Sequence, residues 1–187
     1  KPTRIALFSY AHVPWMKKHM RLIKDEDLPN NFDKTAFYML SKNMLQQNGY
    51  TAIGLDHFAK NDDSLNVAFR QQKLKRNFQG YSCDKSNIII GFGASSISYL
   101  PQGYAQNIAD FMQYEKAILN GQIPVVKGIE VRTQDIMRKE IIDNLMCYMQ
   151  LNLDEILQKY NLEKNFFAPE ISKLENLIKD GLVSFKK

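Results

Sequence analysis

Apolar residues come in short runs that end in polar groups. The first is Ile5-Ala6-Leu7-Phe8, running into Ser9-Tyr10-Ala11-His12. A run of this length predicts a buried strand with its polar end at the C-terminus. Pro14, in Val13-Pro14-Trp15, breaks it. Residues 16–28 are basic and amphipathic, a loop with a helical turn. Phe37, Leu40, Met44 and Leu45 then recur at helical spacing, with Asp33 as the cap and Gly49 as the residue that ends the helix. Residues 50–59 predict a second strand, ending at Asp56-His57. Asn61-Asp62-Asp63-Ser64 opens a helix to about Leu74. After a polar loop at 76–81, Ile88-Ile89-Ile90 begins a third strand that runs through Gly91 and Gly93 to Ile97-Ser98.

The order strand, helix, strand, helix, strand, with crossovers of this length, predicts parallel strands in an α/β sheet or barrel. Functional ends then share the C-terminal edge. One rim would gather Tyr10, Ala11 and His12 with Asp56, His57, Ile97 and Ser98. Residues 104–120 are amphipathic, with Ile108, Phe111, Met112 and Ile118 on one side. Residues 121–128 predict a linker, dividing the chain into 1–127 and 128–187. Thr133 caps a helix to about Leu151; a second covers 153–160, and Ala168-Pro169-Glu170 starts a third. The end, 181–187, reads as the entry to a hairpin. Three short helices and an incipient hairpin predict a small, mainly helical, winged-helix-like domain, truncated.

Composition narrows the function classes. The 187 residues are 44% apolar and 24% charged, enough for a core and unlike a disordered chain. No apolar run approaches the roughly 18 residues of a membrane span. Cys83 and Cys147 are far apart, with neither disulfide-framework nor metal-ligand spacing, which fits a cytosolic compartment. Net charge is +5, and residues 1–127 hold the excess, with 16 Lys and Arg against 10 Asp and Glu. That favours an acidic ligand. There is no arginine-rich run and no nucleic-acid motif.

The densest chemistry lies in Arg76-Asn77-Phe78-Gln79-Gly80-Tyr81. The guanidinium of Arg76 suits a carboxylate or phosphate, gripped bidentately. Phe78 can pack on a flat ring while Gln79 orients a polar edge. Asp56 beside His57 either fixes an imidazole tautomer for chemistry or ties a strand to a loop. Gly91 and Gly93 allow either tight backbone packing or close approach of a ligand. His12 is a rim donor or a loop histidine, and His19 carries no role. Cys147 reads as a small core residue, and Cys83 has no base beside it. The residues alone support a fold binding an acidic or aromatic ligand; an S-adenosylmethionine-dependent methyltransferase is one alternative.

Four ordered motifs carry a resemblance. Tyr10-Ala11-His12-Val13-Pro14-Trp15, Ile53-Gly54-Leu55-Asp56-His57-Phe58-Ala59, Arg76-Asn77-Phe78-Gln79-Gly80-Tyr81 and Gly91-Phe92-Gly93-Ala94-Ser95-Ser96-Ile97-Ser98 resemble the oxygen-independent coproporphyrinogen III oxidases (coproporphyrinogen dehydrogenases), radical SAM enzymes of haem biosynthesis. Tyr104-Ala105-Gln106-Asn107, Gly121-Gln122-Ile123-Pro124 and Gly128 continue it in order.

The resemblance implies the C-terminal part of a partial parallel β/α barrel followed by a helical domain. It implies oxidative decarboxylation of two propionates of coproporphyrinogen III to vinyl groups, giving protoporphyrinogen IX, with S-adenosylmethionine and a 4Fe–4S cluster as cofactors. Ala11 and Ile97 would contact S-adenosylmethionine through their backbones, and Phe78 and Gln79 would line the substrate cavity. Arg76, Asp56 and His57 lie in the same motifs. The family's cluster motif, CxxxCxxC, is absent. The chain is therefore expected to be an inactive C-terminal fragment, its partners the missing N-terminal half, coproporphyrinogen III and an unidentified electron acceptor, with no nucleic acid or membrane. The full-length enzyme would be a cytoplasmic monomer. A non-catalytic porphyrin- or haem-binding module is the other reading.

Overall fold

The computed structural model describes residues 1–84 and 86–185. Its first sheet is built from β1 (Arg4–Ala6), β2 (Tyr50–Ile53) and β3 (His57–Lys60), in the order β1-β3-β2. Both pairings are antiparallel. The apolar run at 50–59 is thus a hairpin rather than one strand. Gly54 makes the turn, at φ +60°, and a Cβ there would lie 2.1 Å from the ring of Tyr81. Only glycine fits both the backbone and the space.

Helix α1 (Asn31–Gln47) precedes this hairpin. Its cap is Asn30, three residues before the expected Asp33. The Asn30 side chain accepts from the Asp33 N–H, and Asp33 accepts in return from the Asn30 N–H. Gly49, at φ +76°, follows the helix as expected. Helix α2 (Ser64–Arg70) starts from Asp63, whose carboxylate accepts from the Leu65 N–H at 2.8 Å and from Arg4 at 2.8 Å. Ile53, Ala59, Leu65, Ala68, Leu74, Tyr81 and Cys147 form the buried core, with Phe69 and Tyr148 against it.

Next comes a two-stranded hairpin, β4 (Lys75–Asn77) and β5 (Gly80–Ser82), turning at Phe78-Gln79. The second three-stranded sheet follows, β6 (Ile97–Leu100), β7 (Gly103–Asn107) and β8 (Val125–Glu130), again antiparallel, with α3 (Phe111–Leu119) between β7 and β8. Helix α4 (Thr133–Tyr148) is capped by Arg132, one residue before the expected Thr133, with the Asp135 carboxylate accepting from the Arg132 N–H. Helix α5 (Leu153–Lys159) is capped by Asn152. The third helix splits into α6 (Ala168–Ser172) and α7 (Glu175–Lys179).

Several expectations are corrected. Every strand pairing among the described residues is antiparallel, so the parallel barrel strands are not paired within this chain. Tight turns at Gly54, Phe78-Gln79 and Gly103 fold neighbouring strands back on one another, so pairing is local and antiparallel although helices α1 and α2 lie where crossovers were expected. The buried strand from Ile88 to Ile97 is a largely irregular segment: Ile89 bridges Tyr99, while Ile90 and Phe92 are exposed. The amphipathic stretch 104–120 divides into most of β7 and helix α3. The division after residue 127 falls inside β8, which pairs with β7 on both sides of it. No strand follows β8 among the described residues, and the end of the expected hairpin, Lys186 and Lys187, lies outside the described residues.

Candidate functional site

The β4–β5 hairpin carries the polar motif and packs against the turn of the first sheet. Its contact point is Tyr81. The phenol accepts from the Leu55 N–H at 3.0 Å and donates to the Met146 carbonyl at 2.9 Å, joining the β2–β3 turn to α4. Burial first, with the nearby Asp56 charge, pushes this phenol pKa up. Tyr81 is therefore a structural joint that stays protonated.

His57 stands edge-on to Tyr81, with ring centroids 5.1 Å apart, and edge-on to Phe8 at 6.2 Å. Its Nδ1 lies 2.7 Å from Oδ1 of Asp56. The carboxylate accepts from Nδ1–H, which fixes the tautomer when the ring is neutral and balances the charge when it is not. Nε2 is the nitrogen left over, and it lies beside Gly80, where a Cβ would meet it at 3.5 Å. The Arg76 guanidinium also sits over the Tyr81 ring, 5.7 Å from its centroid. Asp56, His57, Tyr81 and Arg76 thus form one continuous cluster.

Beyond Arg76 opens a cavity of about 290 Å³, lined by Arg76, Asn77, Phe78, Ile89, Tyr99, Tyr104, Lys139 and Asp143. Tyr99 and Tyr104 are cross-strand neighbours with stacked rings, 4.6 Å between centroids. Burial pushes the Tyr104 phenol up, opposed by Lys139. Lys139 and Asp143, one turn apart on α4, make a close ion pair. The Nε of Arg76 is buried and has no hydrogen-bond partner among the described residues. A second hollow, over α3, is lined by that helix and the Asn120 that follows it, and no polar groups from other elements converge there.

The sequence-derived residues are distributed unevenly. Asp56, His57 and Arg76 meet around Tyr81, and Phe78 lines the cavity with Arg76. Gln79 is exposed at the hairpin turn, its N–H donating to the Asn77 side chain at 2.8 Å. Ala11 is exposed in the irregular segment after β1, and no hydrogen bond joins it to the cluster among the described residues. Ile97 begins β6 in the other sheet. The single rim expected of parallel strands does not gather these positions.

Gly91 turns out to serve packing. A Cβ there would lie 2.8 Å from the Ile97 carbonyl oxygen, its N–H donates to Ser98 at 3.0 Å, and the buried Asn107 amide donates to the carbonyls of Gly91 and Gly93. Tyr99, Tyr104, Lys139 and Asp143 were not anticipated. Their signals were present: two tyrosines placed symmetrically about Pro101-Gln102, and an i,i+4 Lys/Asp pair.

The donor set does not suit an iron–sulfur cluster. Cys83 is exposed and Cys147 buried, and no group of three metal-ligating side chains occurs among the described residues. No helix among them is long and apolar enough to cross a membrane.

No family model matches the chain. Its fold is that of a radical SAM enzyme segment: the whole chain superposes, with a TM-score of 0.92 and 37% identity, on 43% of the solved structure described as coproporphyrinogen III oxidase (HemN) from Escherichia coli, a radical SAM enzyme. More specifically, the chain resembles oxygen-independent coproporphyrinogen III oxidases. It is 40% identical to that of Bradyrhizobium diazoefficiens over 182 residues, 97% of this chain and 40% of the relative. It is also 40% identical to that of Helicobacter pylori over 185 residues, 98% of this chain and 40% of the relative. The chain therefore spans about 40% of the length of these relatives.

Proposed function

We propose that this chain is part of an oxygen-independent coproporphyrinogen III oxidase, supplying one wall of the pocket in which two propionates of coproporphyrinogen III are oxidatively decarboxylated to vinyl groups, giving protoporphyrinogen IX in haem biosynthesis. The observation that carries this is similarity along the whole chain, in sequence and in fold, to proteins of that description. Residues 1–127 hold the ligand wall, and 128–187 complete β8 and add the helical support.

Phe78 packs against the flat macrocycle, and Arg76 holds a carboxylate. Asp56 holds the His57 imidazole in one tautomer, leaving Nε2 for a ligand or water. Gln79, exposed at the turn, reaches a polar edge. S-adenosylmethionine, when bound, supplies hydrogen abstraction from a propionate. Ala11 fits a backbone contact to it, since it is exposed and carries only a methyl group; Ile97, half-buried at a strand start, would be a second backbone contact. The iron–sulfur cluster and the route to an electron acceptor belong to residues outside this chain, whose own cysteines do not fit that role. Two unpaired cysteines agree with action in the cytoplasm. A porphyrin-binding module without catalysis is the second reading, and the partly aromatic cavity beside Arg76 is what it would use.

The test has two arms. The source reading frame is expected to encode CxxxCxxC upstream of Lys1; an open reading frame that starts at Lys1 leaves only the binding module. In the full-length protein, Phe78→Ala with Gln79→Ala is expected to lower turnover of coproporphyrinogen III by about 100-fold, as misplacement of a positioning group does. Unchanged turnover would remove these residues from the site.

A further inference from the structure

The cavity beside the β4–β5 hairpin is closed by α4, a helix in which the sequence placed no ligand contact. Two cations line it, Arg76 and Lys139. They differ in what they already hold. Lys139 is paired with Asp143. Arg76 has no carboxylate partner among the described residues, and its buried Nε has no acceptor. A buried donor without an acceptor costs about 1–3 kcal/mol, more on a charged group. Such a donor persists where an acceptor arrives from outside. The guanidinium fork matches a carboxylate in geometry and charge. Apart from the polar Asn77, the remaining walls, Phe78, Ile89 and the stacked Tyr99 and Tyr104, are apolar or aromatic and suit an alkyl stem. A volume of about 290 Å³ lies at the lower edge of small-molecule sites. It admits a side arm, not a whole macrocycle.

We propose that this cavity takes one carboxylate-terminated arm of the ligand between Arg76 and Lys139, and that Asp143 occupies Lys139 until the ligand carboxylate replaces it. The arm's identity rests on the proposed function, and two sources share the chemistry: a propionate of the porphyrinogen or the methionyl carboxylate of S-adenosylmethionine. Helix α4 then belongs to the site and not only to its support.

The experiment titrates the 187-residue chain with coproporphyrin III, its tetramethyl ester and S-adenosylmethionine. It is repeated on Arg76→Gln, Arg76→Lys, Lys139→Gln and Asp143→Asn, with circular dichroism to confirm folding. Coproporphyrin III is expected to bind at least about 10-fold more tightly than its ester. Arg76→Gln should weaken the acid about 10-fold and leave the ester unchanged, with Arg76→Lys between them. Lys139→Gln should weaken the acid about 3-fold, and Asp143→Asn should tighten it by a similar factor. Opposite shifts from two neighbouring residues are not what a structural ion pair produces. The same pattern for S-adenosylmethionine, with coproporphyrin III indifferent, supports the site and assigns the carboxylate to the cofactor. Binding of both coproporphyrin III and S-adenosylmethionine that all four variants leave within about twofold would overturn the site while leaving the proposed function standing. No binding of either probe overturns the site, and the proposed function is then decided by the turnover of the full-length Phe78 and Gln79 variants.

Discussion

At the residue scale, Tyr81 and Gly54 are interdependent. The Tyr81 ring fills the space a Gly54 side chain would need, and its hydroxyl bonds the Leu55 N–H. Gly54→Ala would force a Cβ to within 2.1 Å of that ring at a left-handed φ. The ring cannot retreat without breaking its bonds to Leu55 and Met146. A loss of about 2–4 kcal/mol is expected in denaturant unfolding, from strain and lost hydrogen bonds together. A midpoint unchanged within error would show that the hairpin turn and α4 are not coupled through Tyr81. The cysteines offer a second residue-scale expectation. Burial, with the Asp143 charge behind it, pushes the Cys147 thiol up to about 11, so it stays protonated at neutral pH. Cys83 is exposed. One thiol should therefore react with Ellman's reagent in the native chain, and Cys83→Ser should abolish the fast phase; fast labelling of Cys147 would contradict its burial.

At the element scale, the helices were legible and the sheets were not. Helices α1, α2 and α5 follow local capping chemistry: Asn30 with Asp33, Asp63 with Leu65, and Asn152 with Asp154 and Glu155. Such signals lie within four residues of the element they start. Strand pairing is non-local, and runs such as 50–59 and 88–97 do not encode whether they continue or fold back. The deciding features were contacts across the sequence: Tyr81 against Gly54, and Ile97 against Gly91. The candidate site divided the same way. Arg76, Phe78, Asp56 and His57 were visible because motif and chemistry coincide, whereas Lys139 and Asp143 reach the cavity only through the docking of α4.

That docking has its own electrostatics. Glu140 on α4 accepts from Lys159 at 2.7 and 2.8 Å and from the Tyr160 hydroxyl at 2.7 Å, tying α4 to α5. Burial alone would raise the carboxyl; the hydrogen bonds from Lys159 and Tyr160 outweigh it and hold Glu140 below its usual 4.5. Burial and Glu140 together push the Tyr160 phenol up to about 12. The unfolded chain binds the Glu140 proton more tightly than the folded one. Its contribution is therefore complete above the ordinary value and is lost as pH falls through the depressed one. Glu140→Gln should lower Tm at neutral pH, and the gap from wild type should close as pH falls below the usual 4.5 and through the depressed value. A gap that persists at the acid end would place the effect in packing instead.

At the scale of the whole molecule, the surface is too large for the mass. A compact monomer of 21.7 kDa exposes about 9,200 Å² by the usual scaling, whereas this chain exposes 14445 Å². The excess includes large apolar side chains spread over several elements: Phe32 on α1 is 80% exposed, Leu119 on α3 79%, and Phe92 87%. Strand β8 is exposed along its whole length, with Val125, Val126 and Ile129 in the open, and it lies at a sheet edge. Monomeric proteins rarely leave such surface open, and an unpaired apolar edge is a template for association. The isolated chain is therefore expected to bind 8-anilinonaphthalene-1-sulfonate in native buffer. Its sedimentation coefficient should rise with concentration. Val126→Lys with Ile129→Lys, on the exposed strand, should suppress the association while leaving the far-ultraviolet circular dichroism unchanged. A concentration-independent compact monomer without dye binding would show that these surfaces close on themselves in solution. Association that survives both lysines would move its origin from β8 to the exposed faces of α1 and α3.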